Sequence, residues 1–159
     1  MNAFARMGLG CAAGFAATFL MDQVTELLYT EDIARREREV QEQSATAVMA
    51  RKILGALGLN PTENDIKKVA PLFHWALGVS CGALAGLLAN GNGARSSLAV
   101  ASGMFVFDEV GLSLLGAAPP STRYPWQTNL RSLKGHATYA LSLAMTYEAL
   151  AALAQRDCE

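Results

Sequence analysis

From Val69 to Ala94 the chain reads VAPLFHWALGVSCGALAGLLANGNGA, with no Asp, Glu, Lys or Arg anywhere in it. No other feature limits the fold so strongly, because about 20 consecutive apolar residues in a helix cross the hydrocarbon of a bilayer. Pro71 suits the first turn of such a helix, where a missing N–H breaks no bond. The Asn90-Gly91-Asn92-Gly93 run is a turn that ends it. Three weaker spans accompany it. Residues 7–29 contain Asp22 and Glu26, residues 97–118 contain Asp108 and Glu109 and stop at Pro119-Pro120, and residues 133–155 contain His136 and Glu148. The expected fold is therefore all-α: a single membrane domain over 1–159, a four-helix bundle with spans at about 7–29, 70–90, 97–118 and 133–155. A helical insert at 30–69 lies between the first two spans.

A soluble helical bundle is the competing architecture. It fits poorly, because LGCAAGFAATFL and HATYALSLAMTY carry only small hydroxyls and a few aromatic polar groups among apolar residues on every side. Helices apolar all round are either deeply buried or in lipid, and a chain of 159 residues cannot bury four of them in its own core. Composition agrees: 52% of residues are hydrophobic, 17% are charged and mean hydropathy is +0.21. The net charge of −1 and the lack of a dense basic patch give no reason to expect a nucleic-acid partner. Cys11, Cys81 and Cys158 form no CxxC motif and no disulfide framework. The N-terminal apolar stretch is read as a retained anchor in place of a cleaved signal, since a charged helix follows it without a clear cleavage site.

Charge asymmetry orients the spans. Arg6, Arg95 and Arg156 fall on one side, three cations against ten on the side of the two longer loops. The positive-inside rule then puts both termini outside and residues 30–70 and 119–132 in the cytoplasm. With that topology Asp22, Glu26, His74, Asp108, Glu109 and His136 share the cytoplasmic half of the bilayer. Rows of small residues turn them inward. Gly10, Gly14, Thr18, Asp22 and Glu26 follow one i,i+4 row; His74, Gly78, Gly82 and Gly86 another; His136, Ala140, Ala144 and Glu148 a third. Small residues at this spacing let membrane helices approach closely. Asp108 and Glu109 are about 100° apart on an α-helix, so one of them, Asp108, is expected to face the interior.

Charged groups at that depth are costly and mark function. Imidazoles and carboxylates suit iron, zinc or manganese, although no Glu-x-x-His pair is present. His74 and His136 at similar depth also fit bis-histidine ligation of haem b, against which the close small-residue packing leaves little room. A third chemistry is proton exchange among Asp, Glu and His; a fourth is a structural network that fixes helix register. The preferred expectation is a non-enzymatic membrane protein that handles a metal ion or protons. The alternative is an accessory or assembly subunit, as a homo-oligomer or within a larger membrane complex, docking through its glycine-rich faces. No nucleophile motif frames any Ser or His, and NGNG follows no strand, so a phosphate loop is not indicated.

The insert has its own order. Thr30 caps TEDIARREREVQEQ, with Glu31/Arg35 and Asp32/Arg36 at helical spacing. ATAVMARKILGALG reads as a short amphipathic helix stopped at Gly58, lying on the membrane surface or against a partner. The basic residues of the insert are matched by acidic ones, so strong attraction to anionic lipid is not expected.

The stretch 115–148, LGAAPPSTRYPWQTNLRSLKGHATYALSLAMTYE, is similar to the C-terminal part of the YagU-like family of small bacterial inner-membrane proteins. Gly116, Pro119-Pro120, Pro125-Trp126, Asn129, Gly135-His136 and Glu148 carry the resemblance, and Phe73-His74-Trp75 joins them. It covers about a third of the chain. The resemblance implies an inner-membrane helical protein, makes Tyr124 and Trp126 aromatic anchors at the interface, and implies no particular activity. PPSTRYPW otherwise reads as a rigid turn.

Overall fold

A computed structural model describes residues 1–156, and Cys158 lies outside the described residues. Six helices account for the fold: α1 (Ala3–Leu27), α2 (Glu31–Val40), α3 (Ala45–Ala56), α4 (Glu63–Leu88), α5 (Gly93–Leu114) and α6 (Trp126–Arg156). Among the described residues there is no strand. The four long helices form the bundle, and α2 and α3 lie across one end of it.

Local chemistry sets the helix starts. Asn2, Thr30, Ser44, Thr62 and Asn92 each accept a hydrogen bond from a backbone N–H of the helix they precede, satisfying a donor that the first turn leaves free. Thr62 and Asp65 cap one another reciprocally. That capping box starts α4 at Glu63, several residues before the expected span at 70. Pro71 therefore sits inside the helix, where its missing N–H leaves the Lys67 carbonyl without an i+4 donor. At the other end of the loop, Gly116 and the proline pair stop α5, and Gly116 takes the left-handed φ of +62° open to glycine.

Three helices, α1, α4 and α5, are long and apolar enough to cross a membrane. The fourth expected span, residues 133–155, is part of α6, which does not reach the same apolar composition. Its early turns carry Arg131 and Lys134 and begin in what was expected to be loop.

The core is made of small residues. Ala13, Ala17, Ala85 and Ala101 are buried around Tyr139 and Leu143, whereas Phe4, Leu114 and Met145 are 80%, 82% and 73% exposed. Small side chains face inward and large apolar ones outward, the reverse of a water-soluble bundle.

The α1–α4 contact explains the choice of residues. The helices run antiparallel and meet rung by rung: Gly10 with Gly86, Gly14 with Gly82, Thr18 with Gly78. A methyl placed on Gly14 would stand 3.0 Å from the Gly82 Cα and 2.9 Å from the Gly78 carbonyl oxygen. One placed on Gly82 would stand 2.6 Å from the Gly14 Cα, and one on Gly10 would strike the Gly82 carbonyl. Backbone thus touches backbone, and carbonyl oxygens lie against Cα–H groups. The expected packing role of Gly10, Gly14, Gly78, Gly82 and Gly86 matches this geometry. These faces are consumed inside the chain.

Candidate functional site

The ladder of small residues ends in a charged rung. One turn beyond Thr18 and Gly78, Asp22 of α1 meets His74 of α4, with Oδ1 and Nε2 2.8 Å apart. Both side chains are about one-third exposed, at 34% and 32%, because they face a cavity of about 480 Å³. Ile66, Lys67, Ala70 and Pro71 of α4 form one wall, and Glu42, Gln43 and Ser44 of the α2–α3 connection with Thr46 and Ala47 of α3 close it.

The second histidine lies on α6 and is buried. His136 Nδ1 is 2.9 Å from the Ser132 carbonyl. A carbonyl only accepts, so Nδ1 carries a hydrogen. Nε2 then points at Asp108 Oδ2, 3.9 Å away, and Phe105 packs edge-on against the ring at 5.1 Å. A bare lone pair facing a carboxylate oxygen repels it. This pair is therefore attractive only when it holds one more proton, on the imidazole or on the acid.

A π turn at Phe107–Gly111 brings both carboxylates of α5 into play. Its wider turn closes with Leu112 N–H donating to the Phe107 carbonyl, and such bulges re-aim side chains at functional sites. Glu109 accepts from Ser132 Oγ at 2.6 Å, while Asp108 faces His136, one turn further along the same α6 face. The expectation that only Asp108 turns inward thus changes: the bulge directs both groups to α6. The signal for it in the sequence is faint, namely Gly111 four residues after Phe107, where an added methyl would stand 2.6 Å from the phenyl ring.

Glu26 does not join. It is exposed, for a geometric reason: four steps of i,i+4 drift by about 160° around an α-helix. A row that starts inward at Gly10 has turned outward by Glu26. The six expected residues therefore resolve into Asp22 with His74, Asp108 with His136, and Glu109 on Ser132. Among the described residues no three His, Cys, Asp or Glu side chains lie close enough to hold a metal ion. The expected iron, zinc or manganese site does not assemble from these residues. His74 Nε2 is engaged by Asp22 and His136 Nδ1 by the Ser132 carbonyl.

Asp108 and Glu109 open into another cavity of about 480 Å³. Tyr29, Glu37, Gln41 and Ser44 roof it, and Tyr124, Thr128, Arg131 and Ser132 line its side. Sequence reasoning did not single out the contacts that close this roof. Arg131 pairs with Glu37 at 2.7 Å and stacks over the Tyr29 ring at 4.3 Å. Gln41 donates to the Ala117 carbonyl at 2.9 Å and accepts from Tyr124 Oη at 2.7 Å. Burial first, then the carboxylates of Glu37 and Asp108, raise the Tyr124 phenol above its ordinary value, which keeps it a neutral donor. Tyr124 is thus a tether as well as an expected interface residue, while Trp126 stands 68% exposed. At the opposite end of the bundle, Glu148 Oε1 accepts from Ala94 N–H at 2.7 Å in the first turn of α5, apart from both pairs.

No family model, curated protein or solved structure matches this chain. The similarity of residues 115–148 to the YagU-like family rests on the quoted residues alone.

Proposed function

We propose that this chain is a four-span protein of the bacterial inner membrane that takes up and releases protons at the cytoplasmic end of its bundle. The observation that carries the reading is that both histidines of the chain end against carboxylates at the same end, beside cavities roomy enough for water. Histidine is the side chain whose charge changes between about pH 5 and 8; the His136–Asp108 pair is attractive only with one more proton in it, and the His74–Asp22 pair shares a hydrogen between nitrogen and oxygen.

Membrane placement draws on the outward-facing Phe and Leu side chains and the small-residue core. The fourth crossing draws on packing. Ser132 and His136 of α6 meet the second half of α5, whereas Tyr147 and Glu148 meet its start at Gly93 and Ala94. A helix that runs beside α5 from end to end shares its depth. Ser132, His136, Tyr139 and Tyr147 turn toward the bundle, which lowers the mean apolar character of α6 without placing them in lipid. The lipid bilayer is the partner this reading requires, and the excess of cations in the longer loops supports termini on the outer side.

The test is proton movement in reconstituted vesicles that contain a trapped pH dye. Wild type should collapse an imposed gradient severalfold faster than empty vesicles. Asp22→Asn and His74→Ala should return the rate to background, and Glu26→Gln should behave as wild type. A wild-type rate equal to that of empty vesicles would overturn the proposal.

A further inference from the structure

We infer that α2, α3 and the segment joining them form a strap that opens and closes aqueous access to both His–carboxylate pairs. The inference takes its functional meaning from the proton reading, but its geometry stands on other contacts. Residues Glu42 to Ser44, between the two short helices, line both cavities. One segment therefore covers the Asp22/His74 pair on one side and Asp108 on the other.

The strap is weakly seated. Ala34 is the only buried residue of α2 and Ala50 the only one of α3 among the described residues. α2 therefore has little apolar area to resist lifting, whereas α3 also keeps Val48, Met49 and Leu54 half-buried. The polar contacts that seat the strap are few: Glu37 with Arg131, Gln41 with Ala117 and Tyr124, Gln43 with Glu63, and Arg51 with Glu63 at 2.6 Å. Segments held by few apolar contacts open locally at low free energy, as loops that gate sites do. The cavity wall on the bundle side is polar, and Thr128 Oγ1 and Arg131 Nε are buried there without a protein hydrogen-bond partner. Polar groups of this kind in a cavity of that size suit water.

Thiol labelling tests the strap without any proton measurement. Cys11→Ala, Cys81→Ala and Cys158→Ala provide the background, in vesicles or detergent. Thr128→Cys reports on one cavity and Ala70→Cys on the other. The probe is a small, charged, water-soluble methanethiosulfonate. Adding Glu37→Gln or Tyr124→Phe should speed labelling at Thr128→Cys severalfold. Arg35→Gln, which breaks only a pair within α2, should leave the rate unchanged. Tyr124→Phe removes a single oxygen, so a retained helical spectrum and melting profile exclude unfolding as the cause. Labelling that rises in the released variants supports a moving strap whatever the vesicle assay returns. Equal rates in wild type, Glu37→Gln, Tyr124→Phe and Arg35→Gln overturn it.

Discussion

Asp65 shows how a single side chain sets where a helix begins. It accepts from the Thr62 hydroxyl at 2.7 Å and from the Thr62 N–H at 3.0 Å, and these bonds hold its carboxyl below the ordinary value of 3.8. A folded value below the unfolded one gives stability that is fully present above the unfolded pKa and is lost as pH falls through the folded one. The first turn of α4 should therefore fray in acid below about pH 4 and not above it. Amide exchange at Asp65 and Ile66 measures this, and Thr62→Ala should cost about 1 kcal/mol of local stability at neutral pH. Residue-scale legibility was uneven. The i,i+4 rows made the meeting of Asp22 and His74 readable. Glu26 was misplaced because a four-residue repeat does not match 3.6 residues per turn. Glu109 was misplaced because Gly111 is the one faint sign of a π turn in FDEVG.

At the scale of the element, α1 and α4 are defined by what they lack. Their contact has no room for a Cβ at Gly14 or Gly82. Gly82→Leu should therefore destabilise the bundle by at least about 1–3 kcal/mol through overpacking. A methyl on Gly103 of α5 meets nothing within 4 Å, so Gly103→Ala should be neutral or stabilising by up to about 1 kcal/mol through helix propensity. Unfolding in a denaturing detergent, read by circular dichroism, separates the two; equal losses would remove the backbone-contact account. The long helices and their glycine faces were legible because apolar length and small-residue spacing are local signals. The seat of α2 on α6 was not, because the partners Glu37 and Arg131 are far apart in sequence and each resembles any solvated charge.

For the molecule as a whole, three helices are apolar enough to span and the fourth lies beside them along its length. The membrane reading sets a definite sidedness. In intact cells an impermeant thiol reagent should label Asn2→Cys, in the cysteine-free background, and spare Gly58→Cys between α3 and α4. The reverse pattern would invert the topology and place the strap outside. The expected orientation rests on charge counting, whose sum over loops survives errors of several residues in every boundary. The division of one expected cluster into two pairs was not available from sums. It depends on which face each helix turns to its neighbour.

The glycine rows of α1 and α4 repeat every four residues, so they resemble the identical graduations of a ruler. Sliding one helix by a turn sets small residue against small residue again almost everywhere, and the backbone alone would scarcely register the change. The Asp22–His74 rung is the index mark: a slip one way strands the acid against Ala70, and a slip the other way sets it against Gly78. The group with the costliest desolvation in this contact is thus also the one that tells two nearly uniform surfaces where to stop.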